Sequence, residues 1–368
     1  MTKRSSERSY IALDLLRALA ALAVMLDHIR GATWVDFGAL PAPQHTSLVA
    51  IFFALTRIGY EAVLVFFVLS GALVGGQILS RVRQRRFSLP DYGIDRGTRI
   101  LVPLIPACLL TVAINWLFLG KMSSFASLVA TMFGFGNLLI SGLAGNEPLW
   151  SLTYEIWFYV LGGALAYLVV TRTSIVAFAV VTASVCVFTV IGPKFLLFWM
   201  LGAATTLIID LPNKKTVFAI GCTVATAGIA FSQLASASMN YAHTSYIDRR
   251  IAEVLVCGGI CMMLPLMYSE RANSALHLIA RPVAFVSGMS YTLYLVHYPV
   301  LNAVNQMLPR ANELSASSAA YFLIRVAICS ATALVCYLLF ERQTPALRRW
   351  VRSSFTGAGL KVERPTSA

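Results

Sequence analysis

A handful of ionisable residues interrupt the long apolar runs of this sequence, and their types suit proton transfer and anion binding. The first run holds four of them: Asp14, Arg17, Asp27 and His28. Arg17 and His28 are eleven residues apart. At about 100° and 1.5 Å per residue, a helix points them almost the same way and separates them by roughly 16 Å along its axis. One stripe would then carry a cation near one end and an imidazole toward the other. Such groups hold an anion and accept a proton from a hydroxyl. The plainer alternative has Arg17 snorkelling to the membrane surface and His28 capping the far end.

Arg96 and Arg99 stand one helical turn apart where a later apolar run begins. Two guanidiniums on one face match phosphate, because each offers a fixed fork of donors that lysine lacks. The same pair also serves as a simple cytoplasmic anchor. In the stretch from Pro148 to Tyr159, Glu155 lies about a turn and a half into a helix. A carboxylate there needs a His or Arg from another helix. His297 falls mid-run among Tyr291, Tyr294 and Tyr298, just before Pro299. In Phe66–Gly71, Ser70 can bond across a helix interface or touch substrate, while Gly71 and Gly75 at i, i+4 permit close packing. An ionisable group inside a membrane helix costs about 2.5–3.5 kcal/mol and is by default a functional hypothesis.

Composition dictates the elements that must position these groups. Of 368 residues, 58% are apolar and only 12% charged, and the mean hydropathy is +0.74. An ordinary soluble domain carries about 25% charged residues, so the bilayer must be the solvent for much of this chain. Apolar segments run at about 10–30, 58–79, 99–119, 125–141, 150–170, 175–191, 195–209, 216–234, 251–269, 284–307 and 318–340. Basic clusters at Lys3, Arg4 and Arg8, at Arg81–Arg99, and from Arg342 to Arg364 belong on the cytoplasmic side. These placements agree only if one segment fails to cross, and 125–141, broken by Gly134, Gly136 and Asn137, is the best choice. The expected fold is therefore an all-α polytopic membrane bundle of about ten transmembrane helices. Both termini are cytoplasmic, and 125–141 is a non-spanning segment at the outer face. Residues 1–345 form one membrane domain and 346–368 a basic cytoplasmic tail. The first helix is read as uncleaved, because Asp14 and Arg17 interrupt any signal-peptide run. The net charge of +13 follows from topology, not from a nucleic-acid partner. Seven cysteines in apolar stretches, none in a CxxC, argue against a disulfide framework or a metal site.

Taken in order, these segments resemble acyltransferase family 3, the membrane O-acyltransferases of bacterial cell-surface glycans. Arg17 and His28 fit the family's spacing of Arg or Lys, ten residues, then His. Phe66–Gly71 fits its Phe-Phe-x-x-Ser-Gly, and Arg96 with Arg99 its RxxR. Trp150–Glu155 fits Trp-Ser-Leu-x-x-Glu, Tyr291–His297 fits Tyr-x-Leu-Tyr-Leu-x-His, and Glu341-Arg342 closes the match. The similarity covers roughly residues 9–345. The chain departs from the pattern at Ile156, where many members have a second acid.

The resemblance implies an acyl-CoA donor from the cytoplasm, no bound cofactor, and a hydroxyl of a glycan or lipid-linked saccharide as acceptor. It also implies a bacterial cytoplasmic membrane. Arg17, Arg96 and Arg99 would bind the donor. His28 would act as general base, with Glu155 or Asp27 orienting its imidazole. Ser70, Tyr154, Tyr294 and His297 would line the substrate cavity. A polytopic transporter or exporter is the rival reading. Against it stands the missing internal repeat, and without paired broken helices the transporter pattern is incomplete. A mere scaffold would leave the buried charges without a use.

Overall fold

The computed structural model describes residues 10–237 and 246–357. Lys3, Arg4 and Arg8 of the N-terminal basic cluster, and Lys361 and Arg364 of the C-terminal one, lie outside them. The regular elements among the described residues are all helical, with two isolated bridges and no strand. In chain order come α1 (Ile11–Thr33), α2 (Ser47–Leu55) and α3 (Gly59–Ser70). One π-helical turn, Gly71–Gly75, continues α3 into α4 (Gly76–Arg83). Then follow α5 (Leu89–Leu119), α6 (Phe125–Met132), α7 (Trp150–Thr171), α8 (Ile175–Ile191) and α9 (Pro193–Thr205). The order ends with α10 (Lys214–Ala237), α11 (Tyr246–Met267), α12 (Glu270–Ala275), α13 (Ala280–Val304), α14 (Ala316–Leu339) and α15 (Thr344–Gly357).

Among the described residues, seven helical runs are long and apolar enough to cross a membrane. A bundle of such helices makes this a multi-pass membrane protein. The outward faces agree: Val176, Phe178 and Val190 of α8 are 74%, 63% and 71% exposed, a pattern that suits lipid and not water. At eight residues, α6 reaches about 12 Å and cannot span some 30 Å of hydrocarbon. α9, with thirteen residues, also falls short. α1 is long enough but carries Asp14, Arg17, Asp27 and Arg30.

Local sequence explains the boundaries that matter here. Ser88 Oγ caps α5 by accepting from the Asp91 amide, and Pro90 occupies the first turn, where a missing N–H costs nothing. Gly120, at φ +60°, ends the helix in the left-handed conformation. Near the middle of the bundle, Gly71 lies against the Trp199 carbonyl and Gly202 against the Val68 carbonyl. Two backbones thus touch where α3 meets α9, and no side chain larger than hydrogen fits at either position. The close approach that Gly71 and Gly75 suggest in sequence is realised against Trp199 and Ala203 of α9. Around it gather Phe67, Phe158, Phe188, Phe195 and Trp199, with ring centroids 5.2–5.5 Å apart for successive contacts. This apolar mass is the rigid wall behind the polar interior.

Candidate active site

Between α1, α3, α4, α5, α7, α13 and α15 lies a cavity of about 400 Å³. α1 contributes Tyr10, Leu13, Asp14 and Arg17 at i, i+3, i+4 and i+7; α7 contributes Ser151, Leu152, Glu155 and Tyr159. Both sets are single helical faces. Arg17 Nη1 is 3.3 Å from Asp14 Oδ1 and donates to Ser287 Oγ at 3.4 Å. Arg96 Nη2 donates to Gln77 Oε1 at 2.6 Å, and its guanidinium lies 5.4 Å from the Tyr159 ring centre. Tyr159 in turn donates to Glu155 Oε1 at 2.6 Å. Arg99 points its accessible surface into the cavity. The nearby charges of Glu155 and Glu341 act on it, yet no described carboxylate comes within ion-pair distance.

Three polar atoms in this wall are buried and lack a hydrogen-bond partner: Ser70 Oγ, Tyr291 OH and Arg96 Nε. Buried polar groups are normally satisfied, so three such atoms around one cavity mark a place for a polar ligand. No histidine bonds to Ser70 Oγ. The residue that follows it, Gly71, opens the π-helical turn, a feature found often at functional sites.

His28 and His297 form the second constellation. His28 Nδ1 lies 2.9 Å from His297 Nε2, the rings 15° from parallel. His297 Nδ1 is 2.9 Å from the Leu293 carbonyl oxygen. A carbonyl only accepts, so His297 Nδ1 carries hydrogen. In the neutral pair, Nε2 is then the acceptor and His28 Nδ1 the donor. His28 Nε2 is left with a free lone pair, and it makes no hydrogen bond to another described residue. The pair adjoins the arginine cavity through Tyr294, whose ring centre is 6.0 Å from that of His297. Tyr294 also faces Phe66 at 6.2 Å, and its OH is 2.7 Å from Ser151 Oγ. On its other side His28 meets Tyr298 at 5.0 Å, and Tyr298 interacts with Glu147. Glu147 lines a cavity of about 750 Å³ at the opposite end of α5 and α13, with Ser123, Ser127, Asn302 and Gln306.

The arrangement thus joins Arg17, Arg96, Arg99, Glu155, Ser70 and Tyr294 in one cavity and sets His28 and His297 beside it. Three assignments made from sequence differ. Tyr154 does not line the cavity: adjacent helix residues point about 100° apart, so with Glu155 turned inward Tyr154 turns into the aromatic wall. Its ring centre is 4.8 Å from that of Phe195, and its OH donates to the Ile191 carbonyl. Asp27 does not orient His28, because its Oδ1 is 3.3 Å from Arg30 Nη2. Glu155 does not either, since it is held by Tyr159 on the arginine side. The group at His28 Nδ1 is another imidazole. Gln77, Arg81, Tyr291 and Arg348, which the sequence does not single out as cavity residues, also line it. For Tyr291 the signal was present: it precedes Tyr294 by three residues and shares its helix face.

No curated protein and no solved structure gave a significant match to the chain. The family model described as an acyltransferase domain, that of acyltransferase family 3, matches residues 10–341. Those limits enclose every helix from α1 to α14, both histidines and nearly the whole arginine cavity. The chain belongs to acyltransferase family 3 and is a multi-pass membrane acyltransferase.

Proposed function

We propose that this protein transfers an acetyl or other short acyl group from acyl-CoA to a hydroxyl of a cell-surface or exported glycan. It would work in the bacterial cytoplasmic membrane, with both termini and the Arg96/Arg99 end on the cytoplasmic side. Both termini on one side require an even number of crossings. The seven long apolar runs with α1 and α8 would supply nine, and the segment of α9, too short to span as a helix alone, would have to carry the chain back across with its flanking residues.

The observation that carries the donor reading is Arg99, a guanidinium that opens into the cavity with no described carboxylate at ion-pair distance. A cation that faces a cavity without an ion-pair partner among the described residues calls for an anion, and Arg is suited to phosphate. Arg96 and Arg99 would hold CoA phosphates, with Arg17 assisting. The pantetheine arm would pass Phe66 and Tyr294 toward His28. Arg17 and His28 are about 16 Å apart along α1, a length comparable with that arm extended.

The acceptor hydroxyl would enter from the second cavity, whose Ser, Asn and Gln side chains suit a polyol. His28 Nε2 takes the hydroxyl proton as the oxygen attacks the thioester carbonyl carbon. The tetrahedral intermediate then collapses with cleavage of the C–S bond. The imidazolium returns its proton to the sulfur, giving CoA thiol and the glycan ester. Direct transfer is favoured over a Ser70 acyl-enzyme, because no base adjoins Ser70 Oγ.

Thiol release from acetyl-CoA by the purified protein in nanodiscs, with a soluble oligosaccharide present, tests the reading. The acceptor should gain the acyl mass in step with thiol released. Absence of both, together with oligosaccharide flux in proteoliposomes lacking acyl-CoA, would replace the enzyme by an exporter.

A further inference from the structure

Beyond residue 341, where the family match ends, the chain forms α15 and lays it across the start of α5. Sequence reasoning treats this region as a basic tail. In the structure it is an amphipathic helix, and one of its residues, Arg348, lines the arginine cavity. Asp95, at the foot of α5, is the hub. Arg81 Nη2 is 3.3 Å from its carboxylate, Arg348 Nε 3.5 Å and Arg352 Nη2 2.7 Å. Arg348 Nε also donates to Thr98 Oγ1 at 3.3 Å.

Asp91 Oδ1 also lies 3.4 Å from Arg352 Nε, and two carboxylates still cannot balance three guanidiniums, so this rim keeps a positive surplus. Asp95 is the hidden member of the set, its side chain 10% accessible against 30% and 36% for Arg348 and Arg81, and the exposed Asp91 stands beside Arg352 outside the cavity lining. What the rim presents to an incoming ligand is therefore cationic. Deeper in the cavity Asp14 is held by Arg17 and Glu155 by Tyr159. Overall five guanidiniums line the space against three carboxylates. On α15's outer side Leu347 and Trp350 are 39% and 66% exposed, which suits a helix lying in a membrane interface with its basic face turned to the cavity mouth.

We propose that α15 is part of the donor site, with Arg348 and Arg81 forming a second phosphate-binding element at the cavity rim and Asp95 holding both ready. This rests on the acyl-CoA reading. A donor that carries phosphate in two places, a diphosphate and a separate monoester, would engage Arg96/Arg99 and the rim together. A phosphate of a lipid headgroup offers the same chemistry, so the test is run in maltoside detergent free of phospholipid.

The measurement is kcat/KM for acetyl-CoA and for S-acetylpantetheine, a thioester without phosphate, in wild type, Arg348→Gln, Arg348→Lys and Arg349→Gln. Arg349 is exposed on the same helix, lines no part of the cavity, and controls for charge and helix integrity. Arg348→Gln should shrink the preference for acetyl-CoA over S-acetylpantetheine about tenfold, mainly through KM. Arg348→Lys should restore part of that preference and Arg349→Gln should leave it unchanged. The proposal is overturned if Arg348→Gln lowers both substrates equally, leaves the preference intact, or is matched by Arg349→Gln. A wild type that shows no preference for the phosphorylated thioester sinks the donor reading itself, whereas a wild-type preference that survives Arg348→Gln sinks only this proposal.

Discussion

His28 and His297 face each other across the α1–α13 interface, Nδ1 to Nε2 at 2.9 Å, and the Leu293 carbonyl anchors the far end of the pair. The hydrogen-bond direction this imposes frees Nε2 of His28. On the proposed mechanism His297 would be a positioning residue and His28 the base.

Replacing His28 by Ala should lower kcat by about 10²–10⁴-fold, the usual worth of a positioned general base. KM for acyl-CoA should stay near wild type, because the arginines are untouched. Turnover kinetics on a variant that elutes as a single peak in detergent give the answer. Wild-type kcat in that variant would remove His28 from the chemistry.

His297→Ala should cost about tenfold in kcat, the worth of one lost hydrogen bond of roughly 1.4 kcal/mol. His297→Gln should recover part of the loss, because its amide oxygen can accept from His28 Nδ1. A merely structural role for His297 would show the same deficit with both replacements and would move thermal stability in parallel. The kcat-against-KM split, read beside the melting temperature, separates the two.

Arg99→Gln should raise KM for acyl-CoA by about tenfold to a hundredfold, corresponding to the loss of a charge-assisted hydrogen bond of roughly 1.5–3 kcal/mol. Arg99→Lys should recover little, because a point charge cannot reproduce the two-pronged grip. Equilibrium titration with CoA checks binding apart from turnover.

Gly71→Ala and Gly202→Ala should each destabilise by about 1–3 kcal/mol, since a methyl at either site meets the backbone of the facing helix. Gly31→Ala, with nothing within 4 Å of the new methyl, should be neutral or gain about 0.5–1 kcal/mol from helix propensity. Thermal melts in detergent distinguish these outcomes, and equal behaviour of all three would show that the α3–α9 contact is looser than described.

Much of the architecture is legible in the sequence alone. Arg17, Arg96, Arg99 and Glu155 betray themselves as charges in apolar runs, whereas helical periodicity aligns Arg17 only with His28 and does not foretell the cavity in which the four meet. The inability of 125–141 to span follows from its glycines, and α6 bears this out by its eight residues. What sequence withholds is pairing between helices. Nothing in residues 27–28 says that Asp27 will be drawn to Arg30, three residues on, while His28 finds an imidazole 269 residues away. Tyr154 illustrates a different limit. Its neighbour Glu155 enters the cavity, but adjacent helix residues point about 100° apart, and a motif of consecutive residues does not say which of them falls inside. Arg348 was hidden for a third reason: a short basic segment after the last apolar run looks like a solvated tail until a buried carboxylate, Asp95, is seen to fold it back.

α1 has no proline, and its one glycine, Gly31, follows His28. Between Arg17 and His28 it is therefore an unbroken rod of fixed pitch. On the acyl-CoA reading that rod is a ruler, setting how far the thioester carbon stands from the phosphate grip. Inserting or deleting one residue between the two would swing His28 by about 100° and change the reach by only 1.5 Å. The tolerance of this enzyme is therefore angular. Donor arms differing slightly in length can still be served, but the rotation of α1 cannot be altered without losing the base.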